Sequence, residues 1–223
     1  LFKITPVEAK AMDPQQRLLL ENTYVALLDA KLSIENLRGS RTGVYVGICN
    51  VNDEQNVSIY SATGSAHSIA ANRISYVFDF QGPSVAFDTA CSSSLVAFEK
   101  AVQDLKNNKC DLAVVAGVNT LLNQRTTDTF RLMGMLSADH HCHTFCEEAN
   151  GYVRGEGCGV VVLTRLEKVK DKNTIWAIVK DANVNQDGQT ATLTAPNRLS
   201  QERILRETLK GAGLKPHQVQ YIE

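Results

Sequence analysis

The sequence predicts an α/β layered protein built on a mainly parallel sheet. Three observations point there. Apolar runs of strand length alternate with stretches of helical periodicity. One of those runs is apolar throughout, as in a strand covered on both faces, and turn residues separate the units. With 223 residues, 43% of them hydrophobic and 21% charged, the chain has ample apolar surface for a core. Its formal net charge of -1 argues against a nucleic-acid or anionic-membrane partner. No apolar run is long enough to span a bilayer, and no basic segment followed by an apolar stretch opens the chain, so a cytoplasmic location is expected. Six cysteines without a compact framework fit a reducing compartment better than a disulfide-stapled secreted fold.

Asp13 and Pro14 fit the N-cap and first position of a helix that carries Leu19, Leu20, Tyr24, Leu27 and Leu28. A strand follows at Thr42 to Ile48, then a polar surface loop at Asn50 to Ser58 and a small-residue helix near Ser65 to Ile74. Gln81-Gly82-Pro83 marks a turn before the strand-like run Ser84 to Asp88. Leu95, Phe98, Val102 and Leu105 recur at helical spacing and predict a helix from about Ser92 to Lys106. Asp111 to Val118 is the continuous apolar run, and Val160 to Leu163 is another. The charged run from Glu167 to Asn173 reads as an internal boundary, after which a strand at Thr174 to Val179 and a helix at Leu199 to Lys210 begin a new unit.

Cys91 stands where the strand Ser84 to Asp88 meets the helix, in a turn made of Ala90, Ser92, Ser93 and Ser94. A helix N-terminus favours the thiolate through its unpaired N–H groups and the positive end of its dipole, and the thiolate is the nucleophile. The three serines keep the turn narrow, which lets a backbone N–H approach a carbonyl oxygen as it becomes an oxyanion. Cys49, Cys110, Cys142, Cys146 and Cys158 read as small buried hydrophobes.

The segment VAFDTACSSSLVAFEKAV around Cys91 resembles the active-site segment of the β-ketoacyl synthase family, the condensing enzymes of fatty acid and polyketide assembly. Four further segments resemble the same family in the same order: MDPQQRLLLE from Met12, ANRISYVFDFQGPS from Ala71, GYVRGEGCGVVVLTRLE from Gly151 and NQDGQTATLTAPN from Asn185. The last, with Ser200-Gln201 after it, resembles modular type I polyketide synthases more than animal fatty acid synthases. The resemblance implies a thiolase-like αβαβα fold, divided here into an N-terminal half lacking its first strand (1–166), a connecting segment (167–173) and the start of a C-terminal half (174–223). It implies that Cys91 takes an acyl group as a thioester from an acyl carrier protein, whose phosphopantetheine arm presents the substrates, with no cofactor bound directly. A malonyl-type extender then loses carbon dioxide and its carbanion attacks that thioester. The partners implied are the carrier protein, neighbouring polyketide synthase domains such as acyltransferase, and a second copy of the chain, with Val85 to Thr89 at the two-fold interface.

The family also relies on two histidines for decarboxylation, one in an HGTGT motif, and the chain ends at Tyr221-Ile222-Glu223 about where that motif is expected to begin. The chain therefore reads as a fragment of a larger synthase, unable to condense alone. His67, His140, His141, His143 and His217 match no family catalytic position. The segment Asp139 to Cys146 holds three histidines and two cysteines, but no second ligand cluster accompanies it, so no metal is expected. By resemblance its Phe145 lines the acyl pocket, while His140, His141 and Cys146 stand where glycine, arginine and aspartate are usual. Those three changes raise an alternative, a non-catalytic carrier-binding or dimerisation domain. Retention of Cys91 favours the enzyme. Arg154 and Glu156 read either as a buried pair holding the Cys91 layer, which is favoured, or as a solvated turn, and Gly155 to Gly159 precedes a strand, which excludes a dinucleotide loop.

Overall fold

The computed structural model describes residues 1–50, 58–169 and 171–223. Most of the predicted loop Asn50 to Ser58 lies outside them. Among the described residues the α-helices are α1 (Pro6–Ala11), α2 (Pro14–Asp29), α3 (Ile34–Leu37), α4 (Ser61–Ser65), α5 (His67–Phe78), α6 (Ser93–Lys106), α7 (Gln124–Leu132) and α8 (Arg198–Gly211). Four strands, β1 (Thr42–Gly47), β2 (Ser84–Phe87), β3 (Leu112–Asn119) and β4 (Gly157–Thr164), form one sheet in the order β2-β1-β3-β4.

β1 and β3 are central, and their near-complete burial explains their unbroken apolar sequence. One face of the sheet carries α2 and α5, with Leu19, Leu20 and Leu27 meeting Ile74, Phe78 and the valines of β1 and β3. The other carries α6, where Ala97, Ala101 and Leu105 pack on Tyr45, Ala113 and Val115. Helix, sheet and helix thus make three layers. Leu95, counted above in the apolar stripe of α6, is instead 60% exposed, and Ala97 and Ala101 face the sheet. Small residues allow that close approach, so the buried face is narrower than the large-residue periodicity suggests.

Local caps follow the sequence. Asp13 accepts the Gln15 N–H at 2.7 Å and opens α2 with Pro14 in the first turn. Two of the recurring segments touch: Gln16 accepts from Arg73 Nε at 2.7 Å, and Arg73 is paired with Glu8 at 2.6 Å, a buried guanidinium whose charge is matched. Gln15 reaches across to the Asn50 carbonyl at 2.6 Å, tying α2 to the chain just past β1.

The sheet is mainly parallel, as expected: β2, β1 and β3 run parallel, while β4 runs antiparallel to β3, from Asn119 opposite Gly157 to Leu112 opposite Thr164. Two expectations about single strands are corrected. The connection from β3 leaves and returns at the same end of the strand, because α7 buries no residue against the sheet and makes no crossover. Val160 to Leu163 is accordingly an edge strand whose side chains alternate, with Val161 46% exposed. Finally, Thr174 to Val179 forms no strand among the described residues: a 3-10 turn spans Lys172–Thr174, and Trp176 and Ile178 are exposed. β-branched composition does not suffice where no neighbouring strand offers a ladder. The segment is instead held to the C-terminal end of α2 by Trp176 Nε1 donating to Asp29 at 2.7 Å and by Lys31 paired with Asp171 at 3.0 Å.

Candidate active site

Cys91 is exposed and stands at the carboxyl ends of the three parallel strands, where open α/β sheets place their ligand crevices. The chain leaves β2 at Phe87, and Asp88 Oδ1 accepts the Ala90 N–H at 3.2 Å. Ala90 has φ +55°, a left-handed conformation costing a non-glycine residue about 1 kcal/mol or more. The serines impose it. Ser93, 4% exposed, accepts the Thr89 N–H at 2.9 Å and donates to the Ala90 carbonyl at 2.6 Å. Ser92 donates to the Thr89 carbonyl at 2.9 Å. With Ser92 so engaged, no side chain caps α6.

Ser94 serves packing. A Cβ added at Gly47, the last residue of β1, would stand 2.4 Å from the Ser94 backbone nitrogen, and one at Gly117 of β3 would stand 2.7 Å from the Ser94 Cβ. These two glycines face each other across the β1–β3 ladder and let the first turn of α6 rest on the strand ends. Sequence reasoning missed them, although a glycine closing an otherwise apolar strand marks a close backbone approach.

The surroundings are polar. Burial pushes the Cys49 thiol up, the nearby Asp88 and Cys91 push it further, and Arg154 opposes them. Arg154 and Glu156 do not pair with each other: Arg154 donates to Thr127 at 2.7 Å and lies over the Phe130 ring at 5.2 Å, whereas Glu156 accepts the Leu121 N–H at 2.5 Å. Arg154 thus ties the segment before β4 to α7, and Glu156 ties it to the chain just past β3. No hydrogen bond links any described histidine to the Cys91 thiol. His67, at the start of α5, shares with Asn72 and Asp88 a cleft of about 290 Å³ along the open edge of β2, and its Nε2 has no hydrogen-bond partner among the described residues. His140 is exposed, and His217 lies in a 3-10 turn.

Phe145 has φ +62° and a fully exposed side chain, so no pocket forms around it within the described residues. The segment from Asn185 proves to be a hydrogen-bonded clasp. Asn197 caps α8 through the N–H groups of Leu199 and Ser200 at 3.1 and 3.3 Å, and its amide donates to the Asp187 carbonyl at 2.9 Å. Asn185 donates to the Ser200 carbonyl at 2.8 Å, and Ser200 itself, 1% exposed, donates to the Gln186 carbonyl at 3.0 Å. Lys106 paired with Asp181 at 2.9 Å joins this unit to the end of α6.

The structure is thus a layered α/β unit that presents one exposed cysteine at a strand-to-helix elbow above parallel strands. Comparison agrees. Residues 1–169 match the β-ketoacyl synthase N-terminal domain and residues 176–223 the β-ketoacyl synthase C-terminal domain. The chain belongs to the β-ketoacyl synthase family. It is 46% identical over 230 residues to a phenolphthiocerol/phthiocerol polyketide synthase of Mycobacterium tuberculosis, covering 100% of this chain and 12% of that protein. It is 45% identical over 222 residues to a polyketide synthase-nonribosomal peptide synthetase of Aspergillus flavipes, covering 96% of this chain and 6% of that one. Among solved structures, the ketosynthase from module 6 of the Bacillus subtilis bacillaene synthase superposes with a TM-score of 0.87 at 37% identity, over 100% of this chain and 38% of that one. An oxazolomycin ketosynthase domain from Streptomyces albus gives 0.91 at 35% identity, over 100% and 40%. The chain therefore spans well under half of the length of these relatives. No helix of the described residues is long and apolar enough to cross a membrane.

Proposed function

We propose that this chain is the acyl-accepting part of a polyketide-type ketosynthase, with Cys91 as the nucleophile. The observation that carries this reading is the exposed thiol at the uncapped start of α6, on the carboxyl ends of β1, β2 and β3. The Cys91 thiolate attacks the carbonyl carbon of an acyl thioester carried on the phosphopantetheine arm of an acyl carrier protein. The carbonyl electrons move onto oxygen, which the Cys91 backbone N–H receives. Collapse expels the pantetheine thiolate, which takes up a proton, and leaves the acyl group on Cys91. Condensation with a decarboxylated malonyl-type extender then regenerates the free thiol and gives a β-ketoacyl chain. The histidines for decarboxylation come from family segments outside these residues, and no cofactor beyond the carrier's own arm is required.

Phe145, exposed here, lines the acyl pocket once further segments of the synthase cover it. Residues 1–166 form the N-terminal half, 167–173 the connection and 174–223 the opening of the C-terminal half. The open edge of β2, with Val85 37% exposed, supports a second copy pairing along Val85 to Thr89. Neighbouring domains such as an acyltransferase complete the assembly, located in the cytoplasm. The alternative of a non-catalytic carrier-binding or dimerisation domain is not favoured, since the nucleophile and the turn that presents it are both present and the relatives are synthases.

The test is intact mass spectrometry of the synthase bearing this chain after incubation with an acyl carrier thioester. An acyl adduct that maps to Cys91 and vanishes in Cys91→Ala supports the proposal. An unacylated protein whose Cys91 still reacts with iodoacetamide overturns it.

A further inference from the structure

Residues 137–150 form a closed loop whose neck is the bridge between Leu136 and Tyr152, with Ser137 N–H donating to the Tyr152 carbonyl and Tyr152 N–H to the Met135 carbonyl, each at 3.0 Å. Inside it, His140 with φ +62° turns the chain sharply, so that Asp139, His141 and His143 converge. One ligand atom from each of the three lies within 4.8 Å of the other two. Neither cysteine of the loop belongs to this group. Cys142 Sγ accepts the Val153 N–H at 3.1 Å, and Cys146 Sγ is directed to the Thr144 carbonyl at 3.7 Å.

The orientation of each group matters more than its proximity. His141 Nδ1 lies 2.8 Å from the Asp139 backbone carbonyl, which only accepts, so Nδ1 carries the proton and Nε2 keeps its lone pair. With Nδ1 so engaged, His141 would offer Nε2 to an ion, held through its other nitrogen as metal-bound histidines usually are. The Asp139 carboxylate is held similarly: Ser137 at 2.5 Å and Asn150 at 3.5 Å both donate to Oδ1, leaving Oδ2 toward His143 Nε2 at 2.7 Å. Around a tetrahedral ion with bonds of about 2.0–2.1 Å, ligand atoms sit about 3.3 Å apart, so the Asp139–His143 pair at 2.7 Å needs to open by about 0.6 Å. His143 would bind through Nε2 after its ring proton moves to Nδ1.

We propose that Asp139, His141 and His143 form a binding site for one divalent transition-metal ion, of which Zn²⁺ is the best fit, with water completing the coordination. Two imidazoles with one carboxylate exclude the oxygen-loving Mg²⁺ and Ca²⁺. The ion staples the loop that carries Phe145, replacing the Asp139–His143 hydrogen bond with a three-point tether. The site stands on the loop geometry alone and does not rest on the reading of Cys91.

The experiment is calorimetric titration of this chain with Zn²⁺ alone, alongside H140A, H141A, H143A and a C142S/C146S double variant, with hydrogen exchange of the loop followed in the same samples. The expected result is one ion per chain, affinity weakened at least about tenfold in H141A and in H143A, and no change beyond about twofold in H140A or in the double cysteine variant. Exchange across 137–150 should slow on adding Zn²⁺ to the unaltered chain and stay unchanged in H141A. Absence of binding by the unaltered chain, or binding that survives both histidine substitutions, or binding that follows the cysteines, overturns the proposal. Of the altered side chains only His143 is half-buried, and an unchanged urea midpoint checks that the variants remain folded.

Discussion

The starts of α6 and α8 are built from similar material and serve opposite ends. Each follows a turn rich in small polar residues, and each rests on a buried serine, Ser93 in one and Ser200 in the other. At α8 the polar groups turn inward: Asn197 satisfies two N–H groups of the first turn, and the carbonyls of Asp187 and Gln186 lock Asn197 and Ser200 in place. At α6 they turn backward onto Thr89 and Ala90, so their hydrogen bonds shape the elbow and leave the helix without a side-chain cap. A capped helix start is a stability device. An uncapped one beside an exposed thiol forgoes that stability and keeps the positive end of the helix available to a thiolate and an oxyanion.

The largest effect should come from the elbow itself. Cys91→Ala in the parent synthase should lower condensation at least about a thousandfold, measured as product formed from a carrier-bound acyl group, with the urea midpoint unchanged. Asn197→Ala should leave acylation of Cys91 alone; a comparable loss there would break the contrast. Next comes the platform under the elbow. Gly47→Ala pushes a methyl into the Ser94 backbone, costing about 1–3 kcal/mol in urea denaturation and, through a shifted helix start, about a hundredfold in the acylation rate. Asn197→Ala should then cost about 1 kcal/mol, read from the urea midpoint, without changing the alkylation rate of Cys91. Ser92→Asp, which brings a carboxylate to the start of α6, should slow alkylation of Cys91 by iodoacetamide about three- to tenfold, because the added charge opposes the thiolate.

A last comparison needs no mutation. Burial pushes the Cys158 thiol up to about 11, and the Cys110 and Cys49 thiols upward as well. Below its raised value such a group stays a thiol, so at pH 8 peptide mapping should find alkylation at the exposed Cys91, Cys142 and Cys146 before these three.

Much of this was legible. Asp13-Pro14 announced α2, the unbroken apolar run announced β3, and the strand-then-small-residue pattern announced the Cys91 elbow. Each is a signal contained within a few residues. What stayed hidden was non-local. The antiparallel direction of β4 depends on where a long connection returns, and the failure of Thr174 to Val179 to pair depends on which strand lies beside it. Arg154 and Glu156 looked like partners because they are close in sequence, yet each found a partner beyond β3.

The loop at Asp139 shows the same limit at the level of chemistry. Three histidines and two cysteines without a second ligand cluster gave no expectation of a metal. The backbone turn at His140 selects the carboxylate and two imidazoles and turns the sulfurs elsewhere. By itself the sequence determined segments such as α2, α6, β1 and β3 and singled out the one thiol at a strand-to-helix turn, because capping and periodicity act between near neighbours. Only the tertiary structure decided that Gly47 and Gly117 would seat that turn on the ends of β1 and β3, leaving the Cys91 thiol open and the helix beside it uncapped. Contacts across seventy residues of chain are set by which surfaces can be buried together, and a local pattern does not contain them.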